Sequence, residues 1–494
     1  MEVTTLQKKP SEKFVFKTEP FQHQRESFDY AEDNEMFVLA DEPGLGKTKQ
    51  IIDIAMHKKD KFGYKHVLIV CGIKNAQGVW LEEVPKHSEE EAWILGTRVS
   101  SRGKIYWGGN VGERLQDLQA VKEGRIDHYF LVTNAETLKN KEFQELATEL
   151  TENGTIGMCV IDEIHKKLGN AEGKLAKGLL SLRSYTRVAV TATLLMNRPT
   201  DLYNALHWLE VEPATFHYFK NRYVKFGGKG GFGITGYKNL RELRGKLNKV
   251  MLRRKKEECV DLPPKEHISE YVEMTPNQER IYKEVREMIL ANIQKIRLSP
   301  NPLALLIRLR QATAHTGILS DTIQESAKFN RMEQIVAERV AKGEKVIIFS
   351  NWTDVTSRAF QTLAKYNPAL IVGGCKDPKA EERKFMNDPN CGVIIGTYGA
   401  MGASLTLTNA SEVLMLDKPW NPGNTEQAED RGHRIGLQWP LTVRTLICAN
   451  TIDERIEEII AEKQELCNAL IEGDDDTIDR LSIDTDDLLD RLLF

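Results

Sequence analysis

Met36-Phe37-Val38-Leu39-Ala40-Asp41-Glu42-Pro43-Gly44-Leu45-Gly46-Lys47-Thr48 decides how the rest of the chain is read. An aliphatic run, Met36–Ala40, predicts a buried strand. It breaks into a glycine-dense turn, and the apolar helix Ile51–Met56 follows. A strand, a glycine turn and a helix opening on Lys-Thr make a phosphate cradle. Glycines let backbone N–H groups face phosphate oxygens, and the helix N-terminus adds positive potential. Gly44, Leu45 and Gly46 then line the cradle, Lys47 reaches the β- and γ-phosphates of a nucleotide, and Thr48 offers its hydroxyl to Mg2+. Asp41 stands where the G-x-x-x-x-G-K-[ST] pattern has its first glycine.

Outward from this stretch, short aliphatic runs alternate with longer amphipathic ones. Met36–Ala40, His66–Cys71, Tyr129–Thr133, Met158–Ile161 and Val188–Thr191 read as buried strands of one parallel sheet. Lys345–Phe349, Ala369–Val372, Val393–Gly396, Val413–Leu416 and Val443–Cys448 read as a second. The expected fold class is α/β, with two lobes of parallel sheet flanked by helices and helical insertions between them. Met274 to about Gln324 reads as helix, with Leu303, Leu306, Ile307 and Leu309 as its apolar stripe. Gly227–Gly236 is too glycine-dense for a helix and suits a hairpin or loop. Thr451–Leu470 reads as a charged amphipathic helix. The expected domains are an N-terminal lobe over 1–260 with a basic insertion near 215–256, a helical insertion over 261–325, a C-terminal lobe over 326–465 and an acidic tail over 466–494.

Composition narrows the class. The 494 residues are 41% hydrophobic and 28% charged, an ordinary globular balance that excludes a disordered or collagen-like chain. No apolar run approaches the roughly 18–20 residues of a bilayer span. Met1 to Pro20 is polar, so no secretory address is expected; the default is a cytoplasmic protein without a membrane partner. Seven cysteines are scattered without a close pair, which suggests reduced core residues rather than zinc ligands or disulfides.

A second chemical element is Met158-Cys159-Val160-Ile161-Asp162-Glu163-Ile164-His165. An apolar strand ends in two acids. Asp162 can hold Mg2+ through water, and Glu163 can polarise the attacking water. A third is Gln427-Ala428-Glu429-Asp430-Arg431-Gly432-His433-Arg434. Arg431 and Arg434 lie three apart, one helical turn, so both can point the same way. They suit arginine fingers on a γ-phosphate, worth about 10³–10⁵ in turnover. A surface helix whose arginines pair with Glu429 and Asp430 stays open as the alternative.

Charge is segregated. The formal net charge is −4, but the last 24 residues hold nine acids and two bases. Between Lys220 and Lys256 there are thirteen bases and one acid, Glu242, interleaved with Tyr223, Phe226, Phe232 and Tyr237. Cations and aromatics on glycine-flexible chain suit a nucleic-acid backbone. Arg222, Lys225, Lys229 and Lys238 are its candidate contacts, while Arg253 and Arg254 can instead serve the lobe interface. Trp352 and Trp420, each following a strand, are either core or contact residues. The acidic tail is either a solvated end or an internal mimic of DNA.

Taken in order, these pieces resemble one family. Pro20-Phe21-Gln22, Asp41–Thr48, Asp162–His165, Thr191-Ala192-Thr193, Leu252-Arg253-Arg254, Leu262-Pro263-Pro264-Lys265, Ile348-Phe349-Ser350, Gly402–Thr408, Trp420-Asn421-Pro422 and Gln427–Gly436 follow the arrangement of Swi/Snf-type ATPases of helicase superfamily two. Phe219–Lys265 and Trp420–Gly436 are most similar to the fork-remodelling, annealing-helicase branch. The resemblance implies two RecA-like lobes. It implies that Gln22 recognises adenine and Gln427 joins the ATP site. It also implies that Thr133, Thr191, Thr193, Ser350, Trp352, Thr397, Gly402 and Ser404 contact DNA or couple it to the nucleotide. The activity implied is a DNA-stimulated ATPase, a monomeric motor that translocates on duplex, forked or branched DNA and remodels it. An RNA-directed helicase and a motor subunit of a multi-chain restriction or repair complex are the alternatives.

Overall fold

A computed structural model of the chain describes residues 14–72, 74–164, 173–192, 198–227, 233–293, 306–401, 405–471 and 473. The chain divides into two units. One takes residues up to Val224 with Lys238–Val260; the other takes Lys225–Tyr237 and everything from Asp261.

The strands of the first unit, in chain order, are β1 (Met36–Leu39), β2 (His66–Cys71), β3 (Ala92–Ile94), β4 (Arg98–Val99), β5 (Ile105–Tyr106), β6 (Phe130–Asn134), β7 (Ile156–Asp162) and β8 (Thr186–Val190). A ribbon of β9 (Val224–Gly227) and β10 (Gly233–Tyr237) follows, its residues Lys225–Tyr237 counted with the second unit, and then β11 (Met251–Leu252) of the first. Seven of these build one sheet in the order β11-β1-β8-β7-β2-β6-β3, every pair parallel. The aliphatic runs fill its centre because a strand covered on both faces must be apolar throughout; all six residues of β2 are buried. Helices carry the crossovers. Lys141–Glu152 shows why: Asn140 caps Phe143 N–H, and Phe143, Leu146, Ala147 and Leu150 recur at helical spacing and face inward.

The second unit's sheet is built from β12 (Lys265–Val272), β13 (Lys345–Ser350), β14 (Ala369–Ile371), β15 (Val393–Thr397), β16 (Ala410–Met415) and β17 (Leu441–Cys448). They form a parallel sheet in the order β12-β17-β16-β13-β15-β14. Successive residues of β13 face opposite ways: Ile347 and Phe349 join one apolar core, Val346 and Ile348 the other. The sheet is therefore covered on both faces.

Two readings of the chain change here. The stretch expected as one helix from Met274 is interrupted: Pro276–Ala291 and Leu306–Ala314 are helical, and a 3₁₀ turn covers Thr316–Ile318. Leu306 and Leu309 are buried as its stripe requires, but Ile307 is exposed, and Leu303 lies outside the described residues. Five of the seven cysteines are buried; Cys259 and Cys375 are only half-buried, and all are free thiols. Among the described residues no helix is long and apolar enough to cross a membrane. The acidic tail beyond Gly473 lies outside the described residues.

Candidate nucleotide site and DNA-contact residues

Leu39, Val190 and Asp162 stand in register across β1, β8 and β7. The strands run parallel, so the turns after them leave one edge of the sheet side by side. At about 4.8 Å per strand, the phosphate loop and Asp162 are two steps, roughly 10 Å, apart. Thr191 lies between them and donates its N–H to Leu39 O at 3.1 Å. Ligands of open α/β sheets bind at this carboxyl edge.

The loop is built as the glycines predict. Gly44 (φ 90°) and Gly46 (φ 73°) take left-handed backbone, and the helix Lys47–Phe62 starts after Gly46. A Cβ on Gly46 would sit 2.5 Å from Gln24 Nε2. Lys47 Nζ donates to the carbonyls of Asp41 (2.7 Å) and Glu42 (3.1 Å), across its own loop. The Leu45 carbonyl is drawn inward by three donors: His23 Nε2 at 2.9 Å, Gln50 Nε2 at 3.0 Å and Gln24 Nε2 at 3.3 Å. The peptide is trans, so the Gly46 N–H points away from the side on which that carbonyl is held. A glycine loop running into a helix N-terminus fits a polyphosphate.

Beneath the loop, Asp41 is wholly buried and accepts from Arg254 and from Gln50 Nε2 (3.1 Å). Arg254 also donates to Ser27 Oγ and to the His23 carbonyl. Its neighbour Arg253 donates to Ala40 O (3.1 Å) and Ala192 O (3.3 Å), joining the loop to the turn after β8. Sequence reasoning did not single out Gln24, Gln50 or this use of Arg254. The one available signal was Asp41, an acid at a glycine position that calls for a cation.

Glu163 adopts φ 52°, left-handed backbone that a glutamate rarely takes, so the chain turns sharply away from Asp162. Gln22 is exposed on the first turn of the helix Gln22–Asp33 and pairs with Glu26 (3.1 Å). Thr133 and Thr191 are fully buried, as is Ser350. Thr133 Oγ1 donates to Thr137, and Ser350 Oγ donates to Asp417 Oδ2 at 2.5 Å. Side chains so enclosed touch no external ligand in this conformation. His165, Thr193, Lys229, Gly402 and Ser404 lie outside the described residues.

In the second unit, Ser350 and Thr397 are register partners at the carboxyl ends of β13 and β15. Asp417, just past β16, ties this edge together: it also accepts from Asn351 N–H (2.9 Å), and its carbonyl accepts from Tyr398 Oη (2.7 Å). Trp352 and Trp420 are half-buried and both pack on the Arg310 guanidinium, at 5.6 and 5.2 Å from their ring centres. Each is therefore a packed residue rather than a projecting one.

Arg431 and Arg434 meet, but not on a helix. The helix Pro422–Glu429 ends before them, and both sit in the turns that follow. Their guanidinium groups converge on the Leu405 carbonyl, at 3.4 and 3.2 Å, and Arg434 also donates to Thr406 Oγ1 (2.9 Å). Glu429 is engaged elsewhere, accepting from Lys265 Nζ (2.8 Å) and His267 Nε2 (2.9 Å). Burial alone would raise its carboxyl; the His267 hydrogen bond and the Lys265 charge outweigh that and hold it below the usual range. Gln427 accepts through its backbone carbonyl from Arg431 Nε at 3.1 Å.

The basic stretch is less uniform than its composition. Arg222 forks onto Glu242, whose carboxyl is held down to about 2 chiefly by that hydrogen bond. Lys246 pairs with Glu212 (2.6 Å), and Arg253 and Arg254 serve the phosphate loop. Lys225 and Lys238, at the two feet of the β9–β10 ribbon, are exposed. The run divides because Leu240, Leu243 and Leu247 bury one side of the helix Leu240–Asn248 and draw nearby cations to internal acids.

The family model of the SNF2-related domain matches residues 23–318, and that of the helicase conserved C-terminal domain matches 327–436. Relatives include an uncharacterized ATP-dependent helicase of Mycoplasma pneumoniae, 26% identical over 88% of this chain and 40% of that protein. ATP-dependent DNA helicase DDM1 of Arabidopsis thaliana is 26% identical over 88% of this chain and 59% of its own length. DNA annealing helicase and endonuclease ZRANB3 of Mus musculus is 26% identical over 88% and 39%. The chain thus spans about 40–60% of the length of these relatives. A solved structure, the Sulfolobus solfataricus SWI2/SNF2 ATPase core in complex with dsDNA, aligns over 96% of this chain and 99% of its own with 23% identity and a TM-score of 0.41. With 23–318 matched by one family model and 327–436 by the second, the chain belongs to the SNF2-related family of helicase-type ATPases.

Proposed function

We propose that the protein is an ATP hydrolase that couples turnover to movement along duplex or branched DNA, and so remodels it by fork regression, branch migration or annealing. The observation that supports this most is the shared carboxyl edge of the first sheet. There the Lys47 loop, Thr191 and the Asp162–Glu163 turn leave adjacent parallel strands. Relatives named as DNA helicases support the choice of DNA.

Each side chain has a definite task. N–H groups of the loop bind phosphate, and Lys47 leaves its two loop carbonyls to take the β- and γ-oxygens. Thr48 and Asp162 would hold Mg2+, which supplies charge neutralisation on the phosphates. Glu163 takes a proton from the attacking water. Arg431 and Arg434, already gathered on one carbonyl, stabilise charge on the departing γ-phosphoryl. Gln22 and Gln427 complete nucleotide recognition. Lys225 and Lys238 meet the DNA backbone, while Thr191, Ser350 and Thr397, at strand ends, pass the nucleotide state to it. The motor acts as a single chain.

ATP hydrolysis measured with no nucleic acid, single-stranded DNA, duplex DNA, forked DNA and RNA tests the proposal. Stimulation by duplex or forked DNA is expected. Stimulation by RNA alone would replace DNA with RNA as the track, and no hydrolysis under any condition would remove the enzyme.

A further inference from the structure

Five of the large apolar side chains that remain exposed fall within one short segment, Val99 to Val111. Scattered exposed apolar residues are ordinary, but a cluster marks an interaction surface. Here it sits on the antiparallel ribbon β4–β5, where Arg98 pairs with Tyr106 and Val99 with Ile105.

The foot of the ribbon is rigid. Arg98 donates to Asp117 Oδ1 (2.6 Å) and to the Glu113 carbonyl (2.9 Å). Asp117 also accepts from Trp93 Nε1 (3.0 Å) and Gly96 N–H (2.8 Å). Buried Arg114 holds the other side through the Gly108 carbonyl at 2.9 Å. Its turn is closed by Gly103 N–H to Ser100 O and Ser100 N–H to Lys104 O, both 2.9 Å. The returning strand is nonetheless open: Ile105, Tyr106 and, just past it, Trp107 are 57%, 52% and 46% exposed. Lys104 Nζ lies 5.4 Å from the Tyr106 ring centre, and Arg102 is exposed beside it. No acid occurs from Thr97 to Gly112. A firmly rooted ribbon showing aromatic rings and cations, without an acid, is the chemistry that stacks bases and holds phosphates.

Its position agrees. The ribbon leaves the carboxyl end of β3, an outer strand of the first sheet. The strands are parallel, so this is the edge that carries the phosphate loop. β3 is five strand steps from β1, roughly 24 Å, too far to belong to the nucleotide site.

We infer that the β4–β5 ribbon is a second nucleic-acid contact, and that Tyr106 and Trp107 stack on unpaired bases while Arg102 and Lys104 hold the adjoining phosphates. The partner is a single-stranded segment, such as the arm of a branched DNA. The inference rests on the reading of DNA as the substrate and names which part of it the ribbon takes.

Fluorescence anisotropy with a single-stranded oligonucleotide, a blunt duplex and a fork with one single-stranded arm tests it, using Tyr106→Ala/Trp107→Ala and, separately, Arg102→Ala/Lys104→Ala. Losing the rings is expected to weaken single-strand binding by about tenfold or more and blunt-duplex binding by less than about twofold. Losing the cations is expected to flatten the salt dependence of single-strand binding. Duplex-stimulated ATP hydrolysis should persist in both variants, so the main reading survives failure here. Unchanged single-strand affinity in the ring variant, or an equal loss on duplex, would overturn the inference. So would altered self-association in sedimentation with unaltered DNA affinity, which would make the ribbon a protein-docking face. Thermal unfolding at the wild-type midpoint shows that the exposed substitutions leave the fold intact.

Discussion

Asp41 and Arg254, 213 residues apart, form a two-pronged ion pair beneath the phosphate loop: Nε to Oδ1 at 3.0 Å and Nη2 to Oδ2 at 2.7 Å. Parallel N–H···O bonds of this kind fix orientation as well as charge. Asp41 is fully buried, so either partner left alone is an uncompensated charge in the core. Arg254→Ala should cost ~3–5 kcal/mol in chemical unfolding. Arg254→Lys keeps the charge but loses the fork; it should raise KM for ATP more than it lowers kcat, because the loop is held less well. The double variant Asp41→Asn/Arg254→Gln should lose less than the sum of its single changes.

Lys47→Ala should abolish hydrolysis and weaken ATP binding, measured with a fluorescent nucleotide. Glu163→Gln should bind ATP normally and fail to turn it over. Normal turnover in Glu163→Gln would assign the base elsewhere.

Acid should weaken both units. Burial pushes His57 down to about 4, and neighbouring Lys58 and Lys61 add to it; burial and then the Arg358 charge do the same to His315. Between about 4 and the ordinary value of 6.5 the unfolded chain binds more protons than the folded one. Stability therefore rises with pH across that window and is lost as pH falls. Each histidine accounts for roughly 2 kcal/mol at pH 5. Asp53 opposes this in part: burial raises it to about 6 despite Lys49 at 2.5 Å, so its stabilising effect is full below 3.8 and lost as pH rises through about 6. Denaturant midpoints at pH 7 and pH 5 should differ, and His57→Gln should narrow that difference.

Lys225 and Lys238 stay exposed while Arg222 and Lys246 answer to internal acids. Lys225→Ala/Lys238→Ala should weaken binding to all duplex sequences alike and reduce the salt slope by about 2. Arg222→Ala should instead destabilise the segment around Glu242.

The sheets were legible because their central strands are uninterrupted aliphatic runs; His66–Cys71 coincides with β2 and Lys345–Ser350 extends the expected run by one residue. β12 was missed because an outer strand alternates: Lys265–Val272 is polar at nearly every exposed position. Lys47, Asp162 and Glu163 stand out in the sequence because each lies at or beyond the end of an aliphatic run; their roles rest on the proposed function. Gln24 was not, since the adjacent Gln22 drew the expectation, and only packing shows that Gln24 is the glutamine against Gly46. The tie between Asp41 and Arg254 joins residues too distant in sequence for any periodicity to mark. Arg431 and Arg434 do not share the helical face that their spacing predicts; a shared carbonyl gathers them instead.

In the proposed mechanism two guanidinium groups act on a phosphate that they need not bind at rest. Single-turnover ATP hydrolysis on duplex DNA, with nucleotide affinity measured in parallel, compares Arg431→Ala and Arg434→Ala with the parent. Affinity within about threefold and a rate at least ~10³ lower is the predicted result. Hydrolysis at the parent rate in both variants would contradict it.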